Sequence, residues 1–219
     1  MRCEPRVTAA QITPKKKSLH DSQRETPRVK RQRRKFRKCV TTELRPRLER
    51  LYFLDECGSH LGLTRLYGRA RPGQRVVEAT TGYSGKHYTT VAAISLAGVC
   101  APFVFAGAMN GLVFATYVQA VLAPVLNAGD ILLVDNLSAH RNVEAVAAIE
   151  ARGARVLYLP PYSPDLNPIE LCWAKTKQAL RTAKARTFES LIEALCVALR
   201  AVAPEHVRAW FKHCGYALA

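Results

Sequence analysis

LYFLD (51–55) and ILLVD (131–135) are two apolar runs of the same length, each closed by an aspartate. Continuous β-branched and leucine-rich runs of this kind suit strands covered on both faces, as in sheets that are at least partly parallel. Working outward, YTTVAAIS (88–95), APFVFAG (101–107) and VLYLP (156–160) read as further strands. Apolar positions recur at helical spacing from Asn110 to Leu126, and further helices are expected at about 142–152, 168–183, 187–202 and 204–213. Residues 63–70 and 75–80 read as a hairpin turning at Arg71-Pro72-Gly73. The class is α/β, with no internal repeat.

In open α/β sheets, ligands gather beyond the carboxyl ends of strands. If the two aspartate-ending strands are parallel neighbours, Asp55 and Asp135 stand side by side there. Two such carboxylates repel unless a cation or a shared proton intervenes. All-oxygen ligation favours Mg²⁺ or Mn²⁺, which accept phosphate oxygens as further ligands. The plainer alternative for each is an aspartate that caps the next turn. A third carboxylate, Glu170, follows the proline-stiffened loop PPYSPDLNP (160–168). With Asn167 as N-cap and Pro168 at the first helical position, Glu170 falls where a capping-box glutamate would also sit.

Charge is unevenly placed. The 219 residues carry a formal +16, with 33 Lys and Arg against 17 Asp and Glu. Residues 1–50 hold 17 basic and 5 acidic side chains; the remainder is nearly balanced, at 16 against 12. The excess is concentrated in Lys15-Lys16-Lys17 and in RVKRQRRKFRK (28–38), which includes Arg31, Arg33, Arg34 and Lys35. Such runs attract phosphate backbones by counterion release, without reading sequence; a solvated basic helix or tail is the alternative. The segment 1–48 is therefore expected to be a basic arm, partly disordered or helical, attached to a body spanning 49–219. No unbroken apolar run reaches the roughly 18 residues of a membrane span, and MRCEPRVTAA does not open a secretory signal. Seven cysteines form no CxxC pair and read as scattered thiols rather than a zinc site. A soluble, cytoplasmic, strongly basic globular protein is the expectation.

FLDE (53–56), LLVDN (132–136) and PPYSPDLNPIE (160–170) together resemble the signature of insertion-sequence transposases in the mariner-related branch of the DDE superfamily. The 34 residues between Asp135 and Glu170 match that branch's spacing, and weaker likenesses run from KKKSLH (15–20) to FKHCGY (211–216). The resemblance implies a ribonuclease H-like fold, a central mixed sheet flanked by helices. It implies Asp55, Asp135 and Glu170 as a catalytic triad holding two Mg²⁺ or Mn²⁺ ions. It also implies cutting and joining of double-stranded DNA at transposon ends, by a homodimer on the DNA. A DNA-binding copy that does not cut, and a ribonuclease H-like nuclease without strand transfer, remain as alternatives. Cys57 departs from the Thr or Ser that relatives often carry. Helix-turn-helix modules that read transposon ends are expected to come from an upstream reading-frame product, and the chain alone is expected to bind DNA with little sequence preference.

Further residues carry two readings each. Asn136 and His140, in DNLSAH, either support the site or serve the local turn and helix cap. Asn167 is a further candidate for support. Arg65 and Arg69, with Arg71 and Arg75, suit phosphate contacts or a solvated turn. Glu56 and Asp165 are expected to be solvated or in loop hydrogen bonds. Trp173 and Trp210 read as core, and His206 and His213 as surface or core.

Overall fold

The computed structural model describes residues 21–80 and 85–217. Its centre is a five-stranded mixed sheet, made of β1 (Leu51–Ser59), β2 (Tyr88–Ser95), β3 (Gly98–Ala106), β4 (Ile131–Val134) and β5 (Arg155–Tyr158). The spatial order is β3-β2-β1-β4-β5. β1, β2 and β3 pair antiparallel, whereas β1–β4 and β4–β5 pair parallel. The helices are α1 (Pro27–Cys39), α2 (Gly111–Tyr117), α3 (Val143–Glu150), α4 (Ile169–Ala183), α5 (Phe188–Arg200) and α6 (Pro204–His213).

Alternation along the central strands sends side chains into two separate cores. Leu51, Phe53, Ile131 and Leu133 face α1, α4 and α6, where Phe53 meets Phe211 and Tyr216 edge-on at 5.0 and 4.7 Å. Leu54, Leu132 and Val134 face the other way, onto Phe114, Tyr117 and Ile149 of α2 and α3. Both faces are covered, which is why these strands read as unbroken apolar runs rather than alternating ones.

Four expectations need correction. β1 continues past Asp55 to Ser59, because Glu56 to Ser59 pair with β2 on the far side from β4. Residues 63–80 form no hairpin. The turn exists, with the Gln74 amide donating to the Arg71 carbonyl at 3.0 Å and Gly73 at φ 78°, but every residue from 65 to 80 is exposed and no strand forms. Leu66, Tyr67, Val76 and Val77 remain largely exposed, so among the described residues little apolar burial stabilises a hairpin. The helix from Asn110 is regular only over α2; it then widens over Val118–Leu122 and tightens over Ala123–Val125, where Pro124 ends it.

The fourth concerns the basic segment. Its helix α1 presents Val29, Arg33 and Phe36 inward, and Phe36, Val40 and Leu44 join the principal core. Arg33, expected to face DNA, is 6% exposed and donates to Asp165 Oδ1 and Oδ2 at 2.9 and 2.7 Å and to Ser163 Oγ at 2.5 Å. Its neighbours Arg31, Arg34 and Lys35 are exposed. Lys15, Lys16 and Lys17 lie outside the described residues.

At the sheet's edges, β3 carries Ala101 at φ 50° followed by Pro102, beside a register shift opposite Val91–Ala93. β5, at the other edge, has four residues.

Candidate active site

The parallel β1–β4 register runs from Leu51 opposite Ile131 to Phe53 opposite Leu133. Two residues further along each chain stand Asp55 and Asp135. They therefore emerge together where β4 ends and β1 goes on alone with β2. β4 stops here because the Asp135 side chain turns the chain: its Oδ1 accepts the Leu137 amide at 2.9 Å, closing an Asx turn.

Glu170 comes from the opposite wall. Pro160, Pro161 and Pro164 stiffen the loop leading to α4, and Tyr162 within it takes φ 53°, a left-handed conformation uncommon for a tyrosine. The loop is tied down by Arg33 at Ser163 and Asp165, and by the Tyr216 hydroxyl, which donates to the Leu166 carbonyl at 2.7 Å. Asn167 does not act as a side-chain cap. No side-chain hydrogen bond caps α4; the Asn167 carbonyl instead accepts the Glu170 amide at 3.1 Å. The Asn167 side chain is buried with its Oδ1 unpaired among the described residues, and it lines the same cavity. Glu170 is thus not reciprocating a capping box.

Asp55, Asp135, Asn136, Asn167 and Glu170 all line one cavity of about 460 Å³. Among the described residues no three His, Cys, Asp or Glu side chains converge tightly enough to ligate one ion as they stand; the carboxylates ring the cavity. Their protonation differs sharply. Burial pushes Asp55 up to about 8, and the Glu170 charge adds to this, against a hydrogen bond from the Glu56 amide. Glu170, though open at the cavity mouth, is also raised, by partial desolvation and by Asp135, against the pull of Lys177. Burial would raise Asp135 too, but hydrogen bonds from His140 and the Leu137 amide prevail and hold it below the usual range.

His140 caps no helix. It is buried between two carboxylates, with Nδ1 2.7 Å from Asp135 Oδ1 and Nε2 2.8 Å from Glu56 Oε1. Burial opposes its charge, yet these two hydrogen bonds raise it to about 10. Glu56 is therefore not in a loop hydrogen bond, and sequence reasoning missed its role. The one available signal was its place beside Asp55, which sends its side chain to the other face of the sheet. Asn136 Oδ1 accepts from Arg141, which lies over the Tyr158 ring at 5.1 Å. Arg65 donates to Thr182 Oγ1 at 2.9 Å, and Arg69 is exposed away from the cavity lining. Cys57 is buried, with burial raising its thiol to about 11.

A family model described as DDE superfamily endonuclease matches residues 50–192. No curated protein sequence matches. Among solved structures the chain is similar to a pre-cleavage Mos1 transpososome, with TM-score 0.76, 18% identity, and coverage of 95% of this chain and 65% of that one. It is similar to a Mos1 mariner paired end complex with Mn, with TM-score 0.74, 19% identity, and coverage of 93% and 64%. It is also similar to the catalytic domain of Mos1 mariner transposase, with TM-score 0.62, 18% identity, and coverage of 91% and 92%. The chain thus spans less than two thirds of the length of both Mos1 complexes. At such identities the likeness is one of fold, and the fold is the expected ribonuclease H-like α/β sheet with flanking helices.

Proposed function

Since the chain belongs to the DDE superfamily endonucleases, we propose that it is a transposase catalytic domain that cuts and joins DNA at transposon ends. One observation carries this reading above all: the parallel β1–β4 register sets Asp55 beside Asp135, and the proline-framed loop brings Glu170 to the same cavity. The donor set fits hard divalent ions. It is all oxygen, and Asp55 is pushed to about 8 by burial and by neighbouring carboxylates, a state that positive charge in the cavity would relieve. Asp55, Asp135 and Glu170 would hold two Mg²⁺ or Mn²⁺ ions. When bound, such ions favour a deprotonated nucleophile and steady the departing oxygen of an in-line displacement.

The chain's own residues do the rest. Asp55, pushed up to about 8 by burial, would be ionised when it holds such an ion, and hydrogen bonds from His140 and the Leu137 amide favour the ionised form of Asp135. Arg31, Arg34 and Lys35 on the outer face of α1, with Arg65 and Arg69, supply phosphate contacts that fix the duplex without reading it. Lys15, Lys16 and Lys17 would add to the same attraction. A dimer on the DNA, and a helix-turn-helix product of an upstream reading frame that reads the ends, complete the assembly, which would act at the bacterial nucleoid.

The test is incubation of the chain, with and without that upstream product, with terminal-repeat DNA, a target plasmid and Mg²⁺ or Mn²⁺. Joined products are expected, and Asp135→Asn should lower their formation by at least about a thousandfold while salt-sensitive DNA retention persists. An Asp135→Asn protein that still cuts would sink the triad. Nicks without joining would leave hydrolysis alone, and retention without cutting would leave a binding protein.

A further inference from the structure

Behind Asp135 lies a bracket that reaches through to the opposite face of the sheet. His140 touches a carboxylate at each ring nitrogen, Asp135 Oδ1 at 2.7 Å and Glu56 Oε1 at 2.8 Å. Its ring packs on Phe114 with centroids 4.7 Å apart, and its carbonyl accepts the Tyr158 hydroxyl at 3.1 Å. The imidazole is 1% exposed and held on every side. Asp135 Oδ1 accepts a second hydrogen bond, from the Leu137 amide at 2.9 Å, whereas no hydrogen bond reaches Oδ2 among the described residues.

We propose that Glu56 and His140 are positioning residues that fix the Asp135 carboxylate, committing Oδ1 to hydrogen bonds and leaving Oδ2 as the oxygen offered to a divalent ion. The inference rests on the metal-site reading above. Its physical basis is that an orienting partner behind a ligand restricts the rotations the ligand would otherwise have to give up on binding. Glu56 is the remote end of this bracket. Its neighbour Asp55 points to the cavity, so a single strand supplies one ligand directly and steadies another from behind.

Mn²⁺ binding to the full chain, followed by the electron paramagnetic resonance of the free ion, tests the proposal apart from catalysis. Glu56→Ala and His140→Ala should each weaken Mn²⁺ by about 10- to 100-fold. Glu56→Gln, whose carbonyl oxygen still accepts from Nε2, should stay within about threefold. The Glu56→Ala/His140→Ala double variant should bind no worse than the weaker single, because both act through one contact. Cleavage lost at low Mn²⁺ should return at saturating Mn²⁺. Thermal melting monitors folding, and if His140→Ala does not fold, Glu56→Ala, at a side chain 15% exposed, decides the matter. A folded Glu56→Ala protein that binds Mn²⁺ within about twofold of the parent overturns the proposal, as do single effects that multiply in the double variant. If Asp135→Asn leaves Mn²⁺ binding unchanged, the metal-site reading fails first and this one with it.

Discussion

Two arginine-rich stretches flank the start of β1, and they fold in opposite ways. RVKRQRRKFRK becomes α1, which sets Val29, Arg33 and Phe36 into the protein and leaves Arg31, Arg34 and Lys35 outside. TRLYGRARPGQR (64–75) becomes an exposed excursion with Leu66 80% and Tyr67 91% exposed. It is tied down near its ends, by Arg186 donating to the Leu61 and Leu63 carbonyls at 2.8 and 3.2 Å, by Arg65 on Thr182, and by Lys184 on Glu78. The first is the more densely charged, with 8 basic residues in 11 against 4 in 12, yet it is the one that packs. What separates them is the apolar stripe of Val29, Phe36, Val40 and Leu44, spaced to one helical face, which gives the first stretch a surface to bury and takes Arg33 off the basic face.

The largest way to break this contrast is through stability. Phe36→Ala should destabilise the fold by about 3–5 kcal/mol, the range for buried aromatic truncations, whereas Tyr67→Ala should stay within about 0.5 kcal/mol. Chemical denaturation of both variants measures the difference, and equal losses would mean that the excursion is packed against something in solution.

DNA affinity gives the next effect. Replacing Arg31, Arg34 and Lys35 by Ala should lower the slope of log affinity against log salt by roughly 2–3, about 0.9 per lost phosphate contact. Arg33→Ala should leave that slope unchanged, because its guanidinium is occupied by Asp165 and Ser163. Should Arg33→Ala alter the slope as an exposed arginine does, the buried pairing is not the state that meets DNA.

The smallest effect is with pH. Burial alone would raise Asp165, but the Arg33 hydrogen bonds and the Arg33 and Arg24 charges prevail and lower it. A carboxyl depressed in the folded state stabilises the fold above its ordinary value of 3.8 and loses that contribution as pH falls through its folded value. Acid unfolding of the parent should therefore steepen below about pH 4 relative to Asp165→Asn. The Tyr67→Ala background should leave the difference untouched.

Much of the frame was legible because it is local. Unbroken apolar runs marked the buried strands, and equal run lengths before Asp55 and Asp135 anticipated their shared register. Prolines marked the loop that delivers Glu170. The burial of Arg33 was also written in the sequence, since Val29, Arg33, Phe36, Val40 and Leu44 recur at spacings of three and four; the density of charge hid the stripe. Glu56 and His140 meet across 84 residues, and nothing local to either announces the other. The excursion at 63–80 read as a hairpin because alternation and a turn signal do not reveal whether a neighbouring surface exists to receive the strands.

The sheet's two open edges bear on how the protein behaves when crowded. A free edge strand offers unpaired amides and carbonyls to another molecule's edge. β3 denies that offer midway, where Ala101 at φ 50° bends the strand and Pro102 has no amide to donate. β5 is only four residues long, too short to template a ladder. Among the described residues, then, neither edge offers a long run of unpaired backbone for a second copy of the sheet to extend.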